Sequence, residues 1–375
     1  MSGGSVAVLF QATDPPVIDG IRKPMKPGGY SDSGADIAYV LRSLDVAVVT
    51  PVASPDPTTD LDWVFPDTTD GIESARAAGA DVLWANTVLF GGHPLESAID
   101  EGVAVVGQRP SRVHRFDDKW QTNELLRSVG CPVARAVRIA ARGGDGVLAI
   151  DEIDEASIAA HGISLPAIVK PIRGRGSQGV TRVGSVDELH ATARTLLDDL
   201  VAVDGTEYPR YGDTLVLEEY LPGTEVTMTV MPPGRYRVET QDVDRPAHWC
   251  LPAVERFNHD AGITPYNGVV AVTQNSRVVV EESDGLARLA RYCGEAAAAV
   301  GAVAPIRIDC RARSGEDFQL FDLNMKPNMT GAGRPGRDDQ DSLSCMAARV
   351  IGWSYGDLLH NMLRQAWVDE ARIQV

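Results

Sequence analysis

Two short segments near the C-terminus constrain this chain more than any others. Ile306-Arg-Ile-Asp-Cys-Arg311 and Phe318-Gln-Leu-Phe-Asp-Leu-Asn324 each mix apolar and polar residues at a period of two, and they flank the turn-forming stretch Ser314–Asp317. That period is the signature of strands with one buried and one open face, and the turn makes them a hairpin. Centring the turn between Gly315 and Glu316 sets Asp309 opposite Asp322 and Arg307 opposite Asn324, all on one face. Ile306, Ile308, Cys310, Phe321 and Leu323 take the other. Facing carboxylates repel unless a cation separates them. Asp309, Asp322 and Asn324 offer hard oxygen donors, the set that suits Mg²⁺, with further ligands left to water or phosphates. The competing reading is a solvated face on which Arg307 neutralises one acid.

The rest of the chain supplies a frame for that hairpin. With 375 residues it has room for two or three domains. Ser5–Phe10, Asp45–Val49, Asp81–Trp84 and Val103–Val106 read as buried parallel strands. Helical patterns at Ser33–Arg42, Gly71–Ala78 and Pro94–Asp100 intervene, which predicts a doubly wound α/β domain over residues 1–110. Gly20–Tyr30 and Thr50–Phe65 are Pro/Gly-rich loops. A second, α+β unit is expected over 111–205, with a helix at Asp117–Val129, strands at Pro166–Lys170 and Gly179–Val183, and a helix from Val186 capped by Ser185. The third unit, 206–375, carries strands near Leu215–Tyr220 and Val226–Met231, then a loop-rich stretch to Gly268. Strands at Val269–Val272 and Arg277–Val280 follow, then a helix over Asp284–Val300, the hairpin, and two helices starting near Ser342 and Ser354.

Two more segments carry chemistry. In Lys170–Gly179 a lysine ends a buried strand, and Gly174, Gly176, Ser177 and Gly179 follow before the chain returns as a strand. Glycines allow tight turns that aim N–H groups inward, the geometry that cradles phosphate oxygens. A flexible hairpin turn is the plain alternative, and the Walker pattern is absent. In Leu215–Glu225 a strand ends in Glu218 and Glu219, passes Tyr220, Leu221 and a Pro-Gly turn, and reaches Glu225. Such a linker could hydrogen-bond a nucleoside, or it could be a solvated turn.

Charge narrows the partners. A net charge of −17 argues against neutralising nucleic-acid phosphates or docking on an anionic membrane. No apolar run reaches membrane-spanning length. Five cysteines without a CxxC pair read as thiols of a reducing cytoplasm. The histidines show no metal spacing.

Taken in order, Asp117–Val133, Leu165–Val183, Leu215–Val230, Ile306–Gly331 and Ser342–Leu359 resemble the ATP-grasp carboxylate–amine ligases, closest to the D-alanine–D-alanine ligase-like branch. The resemblance implies an N-terminal pre-ATP-grasp domain over 1–110, a central lid lobe over 111–205 and a C-terminal lobe over 206–375. It implies that Lys119 and Lys170 contact ATP phosphates, with Gly174, Gly176, Ser177 and Gly179 in the loop over them. Glu218, Glu219, Tyr220 and Leu221 would form the adenine linker, with Glu225 on the ribose. Asp309, Asp322 and Asn324 would hold Mg²⁺, and Arg307 would steady the transferring phosphoryl group. Arg307, Lys170 and Ser177 would be the catalytic set. Asn328 and Ser342 would contact substrate. The implied reaction joins a small carboxylate and an amine through an acyl phosphate, releasing ADP and phosphate, in a protein that is a homodimer by analogy.

Departures cluster on the substrate side. The first strand runs into Gln11–Val17 and the insert to Tyr30, and Trp84–Phe90 replaces a His-Gly-rich segment. Asn328 stands where the branch has glycine, and the loop Thr330–Asp341 is long. Lys326, Arg334 and Arg337 could bind a substrate carboxylate or stand as solvated charges. No counterpart of the branch's Tyr-bearing loop is evident between Asp242 and Tyr266. A ligase of specialised metabolism is therefore expected, ahead of a cell-wall D-alanine–D-alanine ligase or a nucleotide-binding regulator without turnover.

Overall fold

A computed structural model describes residues 4–369 apart from 19, 23–24, 175, 204, 260–261 and 264–271. The N-terminal sheet is parallel, in the order Val64–Pro66, Val6–Phe10, Val82–Asn86, Ala104–Val106. Alternate residues of its first strand enter different cores. Ala7 and Leu9 pack with Ile72, Ala75, Leu95 and Ala98, while Val6 and Val8 pack with Ala35, Ile37, Ala38 and Leu41. Helix Ser31–Ser43 thus covers one face, and helices Thr69–Ala77 and Leu95–Asp100 the other, the doubly wound arrangement.

One expected strand is corrected. Asp45–Val49 makes only the single bridge Val6–Val48. Val64–Pro66, which starts inside the stretch Thr50–Phe65 read as loop, pairs with the first strand. Pro51, which has no N–H to donate, stops the earlier segment from extending a ladder.

The central sheet has the order Val147–Ala149, Ala136–Ala140, Thr214–Glu219, Ala167–Pro171, Thr181–Val183. Its middle strand begins beyond residue 205, so the central lobe extends to Glu219. The lobe has its own core, with Val137, Ile139, Val169, Leu189, Leu215 and Leu217. Ser185 caps helix Val186–Asp198 by accepting from Glu188 N at 3.2 Å, as its sequence predicts. The amphipathic stretch after Asp117 forms helix Lys119–Ser128, capped by Asp118 and preceded by a separate helix, Pro110–Phe116.

The third sheet runs Ser276–Val278, Val254–Arg256, Glu225–Met231, Ile306–Ala312, Phe318–Asn324, and Trp249–Cys250 also pairs with Glu225–Met231. The stretch read as loop-rich therefore holds strands, including the hairpin Gly234–Val238/Gln241–Arg245. Of the strand expected at Val269–Val272, residues 269–271 lie outside the described residues, and Val272 opens a 3₁₀ turn. Helix Asp284–Ala299 covers one face, and helices Leu343–Val350 and Tyr355–Leu363 start from Ser342 and Ser354 as caps. Trp367 exchanges two backbone hydrogen bonds with Val105, which ties the C-terminal segment to the N-terminal sheet. Among the described residues, no helix is long and apolar enough to cross a membrane.

Candidate active site

Strand Glu225–Met231 organises the site. Its register places Glu225 between Arg256 and Arg311, Thr227 beside Asp309, and Thr229 beside Arg307. The neighbouring strand adds Asp322 opposite Asp309 and Asn324 opposite Arg307, the pairing expected from sequence. Past Asp309 the register slips, and Cys310 faces Leu320. Phe321 is the extra residue of this bulge. It leaves the apolar face assigned to it and lines the cavity, while Leu320 joins Ile306, Ile308, Cys310 and Leu323 in the core.

A cavity of about 390 Å³ lies over this face, walled by all three lobes. It gathers Lys119, Lys170, Gly174, Gly176, Ser177, Glu218, Glu219, Tyr220, Leu221, Glu225, Arg307, Asp309, Asp322, Asn324 and Asn328. Three other site residues do not line it. Gly179 sits behind the loop at φ +71°, where an added Cβ would lie 2.9 Å from Pro171 Cγ. Ser342 is buried as a helix cap, its Oγ accepting from Cys345 N at 3.3 Å. Arg334 is 2% exposed and serves the protein itself. Its Nε donates to Asp36 Oδ1 at 2.9 Å, and its Nη2 lies 2.7 Å from Asp60 Oδ1. Arg337 donates to the same Asp36 at 2.7 Å. These loop charges dock the Thr330–Asp341 loop on helix Ser31–Ser43, in place of the substrate contact read for Arg334.

The charged groups neutralise one another across the cavity. Lys119 Nζ donates to Asp322 Oδ1 at 2.5 Å. Lys170 Nζ donates to both Glu218 oxygens at 2.8 Å and to the Phe321 carbonyl at 3.1 Å. Arg307 Nη2 donates to Asp309 Oδ2 at 3.2 Å, and Thr227 Oγ1 donates to Asp309 Oδ1 at 2.7 Å. Burial pushes the Asp322 carboxyl up, but Lys119, Lys170 and Arg307 outweigh it and hold it below the usual carboxylate range. Burial also works against the Arg307 charge, and Asp309 and Asp322 more than restore it.

The donor set fits a hard divalent cation. Among the described residues no three His, Cys, Asp or Glu side chains form a metal cluster, so a cation here would rest on two carboxylates and the Asn324 amide oxygen. That leaves positions for water and phosphate oxygens, the manner in which Mg²⁺ binds.

Glu219 turns out to be structural in part, accepting from Arg135 N at 2.8 Å and Arg313 Nη2 at 2.7 Å. Glu225 accepts from His259 Nε2 at 2.9 Å. His93 lies buried, 3.2 Å from Asp67. The five thiols are free, and four are buried. Lys26, Tyr30, Arg256 and Arg311 also line the cavity, though the sequence reading did not mark them. Arg256 ends a three-residue strand, too short for a period to show.

Comparison with known proteins agrees with this geometry. An ATP-grasp domain model matches residues 163–231, the span from the central lobe into the organising strand. D-alanine–D-alanine ligases of Mannheimia succiniciproducens and Haemophilus influenzae are 26% and 27% identical over 249 and 251 residues. Each match covers 66% of this chain, and 66% and 69% of the relative. The chain spans 56% of the corresponding ligase of Azobacteroides pseudotrichonymphae. The structure of Bacillus anthracis D-alanine–D-alanine ligase complexed with ATP superimposes with a TM-score of 0.61 over 97% of this chain and 96% of that one, at 16% identity. VanG D-Ala:D-Ser ligase of Enterococcus faecalis gives a TM-score of 0.60 over 96% and 99%, at 14% identity. An ATP-grasp domain match, relatives aligned along about two thirds of the chain and a fold held in common almost end to end make this chain similar to the D-alanine–D-alanine ligases of the ATP-grasp superfamily.

Proposed function

We propose that the chain is an ATP- and Mg²⁺-dependent ligase that joins a small carboxylate to an amine, releasing ADP and phosphate. The observation that carries this reading is the hairpin register, with Asp309 opposite Asp322 and Arg307 opposite Asn324 over a cavity shared with Lys119 and Lys170. A carboxylate is a poor acyl donor at neutral pH, and phosphorylation makes it a good one. Phosphoryl transfer asks a protein for position and charge neutralisation more than for covalent help. Lys119 and Lys170 would hold the phosphates, under the loop with Gly174, Gly176, Ser177 and Gly179. Tyr220 and Leu221 would flank the base, and Glu225 would accept from the ribose. Arg307 would face the charge that develops on the transferring group and on the tetrahedral centre formed when the amine attacks. Asp309, Asp322 and Asn324 would hold Mg²⁺, which when bound neutralises and orients the phosphate oxygens.

The test is a screen of paired carboxylates and amines with ATP and Mg²⁺. ADP and phosphate should form only when both partners are present. AMP with pyrophosphate would contradict the mechanism. The names of the relatives favour one specific second reading, a D-alanine–D-alanine ligase. It is decided by whether D-alanine alone supports ADP release. A homodimer belongs to the same proposal and is checked by light scattering.

A further inference from the structure

One end of the cavity is built from the insert, which departs from the resemblance to known ligases, and from the loop after Asn324, where Asn328 departs from it. The insert Gly20–Tyr30 supplies Lys26 and Tyr30, and the loop after Asn324 supplies Lys326 and Asn328. Lys326 Nζ lies 3.4 Å from the Tyr30 ring centroid, and Lys26 Nζ lies 5.0 Å from it. The Gly29–Tyr30 end of the insert is anchored to the residue that follows the first strand. Gln11 N donates to Gly29 O at 2.9 Å, and a Cβ on Gly29 would fall 1.8 Å from the Gln11 carbonyl oxygen. Gly29 at φ +56° and Tyr30 at φ +67° turn the chain so that the tyrosine enters the wall. Lys326 also donates to Asn86 Oδ1 at 3.3 Å, and Lys26 lies 3.6 Å from Asp32.

The charged side chains that line the cavity at this end, Lys26 and Lys326, are both cationic, and Asp32, which pairs with Lys26, is not among the lining residues. Among the described residues, the acids lining the cavity are Asp117, Glu218, Glu219, Glu225, Asp309 and Asp322, and none comes from the insert or from the 324–328 loop. Neither segment offers a carboxylate to a substrate ammonium, and each offers an ammonium to an anion. The loop begins at Asn324, one of the proposed Mg²⁺ ligands, so a substrate whose reacting carboxylate meets the nucleotide's terminal phosphate can extend its other end along this loop towards Lys326.

Building on the ligase reading of the cavity, we infer that the acid activated here carries a second anionic group, bound between Lys326 and Lys26 against the Tyr30 ring. The distinguishing chemistry is a second negative charge, from a carboxylate or a phosphate.

The test measures acid binding by calorimetry, with Mg²⁺ and a non-hydrolysable ATP analogue present, alongside acid-dependent ADP release. The probes are butyrate, succinate and phosphoglycolate. Succinate or phosphoglycolate should bind roughly tenfold or more tightly than butyrate, the scale of a hydrogen bond to a charged group. Succinate against phosphoglycolate separates the two anion sources. Lys326→Met should remove that preference, Lys326→Arg should restore it, and Lys26→Met should weaken it independently, with thermal melting confirming that each variant folds. Equal binding of butyrate, succinate and phosphoglycolate, or a preference untouched in both Met variants, overturns the inference. A lysine-dependent preference for a second anionic group without any ADP release leaves it standing and removes the ligase reading. ADP release supported equally by acids with one and with two anionic groups does the reverse.

Discussion

Lys119 and Asp322 are 203 residues apart in sequence, yet their side chains meet at 2.5 Å. This contact explains how the site holds its charges before any nucleotide arrives. Each carboxylate proposed for the metal has a cationic partner, Lys119 for Asp322 and Arg307 for Asp309. A divalent ion and its phosphates would offer both signs of charge in exchange. Arg307→Ala should lower kcat by about 10²–10³, the usual effect of deleting a group aimed at developing charge. Steady-state ADP release measures it, and a change within a factor of two would remove Arg307 from the chemistry. The same residues set a pH dependence. The folded Asp322 carboxyl is held below its ordinary value of about 3.9, so its contribution to stability is fully present above that pH and fades as pH falls through the lower folded value. The stability gap between the wild type and Asp322→Asn should therefore be flat from about pH 5 to 7 and shrink below about pH 4. Urea unfolding across that range reads it, and an undiminished gap in strong acid would contradict the assignment.

Among the structural elements, the Thr330–Asp341 loop and the 306–324 hairpin behave differently. The loop's arginines converge on Asp36, which is fully buried in helix Ser31–Ser43. Asp36→Ala strips the carboxylate shared by Arg334 and Arg337 and should cost about 3–5 kcal/mol. Arg334→Met should cost less, because Arg337 still bonds Asp36. Chemical denaturation of the two variants gives the order, and the reverse order would refute this account of the loop. From sequence, Arg334 looks like a free loop charge because its carboxylate partner lies 298 residues away. The hairpin is legible because a period of two and a short turn fix its register locally. The bulge at Phe321 is not, since packing against the core chooses which residue is extruded. The same limit hides Arg256, whose strand is only three residues long and is ordered by its neighbours rather than by its own pattern. Asp45–Val49 has the composition of a strand but meets a proline before it can pair along its length. Apolar periodicity reports that a segment is buried, and it leaves the partner to long-range contacts.

Across the whole molecule, burial divides the chain in a way that suits a closing cavity. Two large cores join the N-terminal sheet to the C-terminal lobe, and a separate one serves the central lobe. Leu217, buried in that separate core, is a direct probe. Leu217→Ala should destabilise by about 2–5 kcal/mol, and hydrogen exchange should show lost protection confined to the central sheet. Loss spread evenly over all three sheets would contradict independent cores. The central lobe supplies Lys170 and the glycine-rich loop, the C-terminal lobe supplies the hairpin, and a nucleotide would tie the two together. The most direct measurement of that claim is a crystal structure with Mg²⁺ and a non-hydrolysable ATP analogue. We expect the ion bound by Asp309, Asp322 and Asn324, with Lys119 turned from Asp322 onto a phosphate. An analogue bound elsewhere, with Lys119 still on Asp322 and Arg307 still on Asp309, would contradict it.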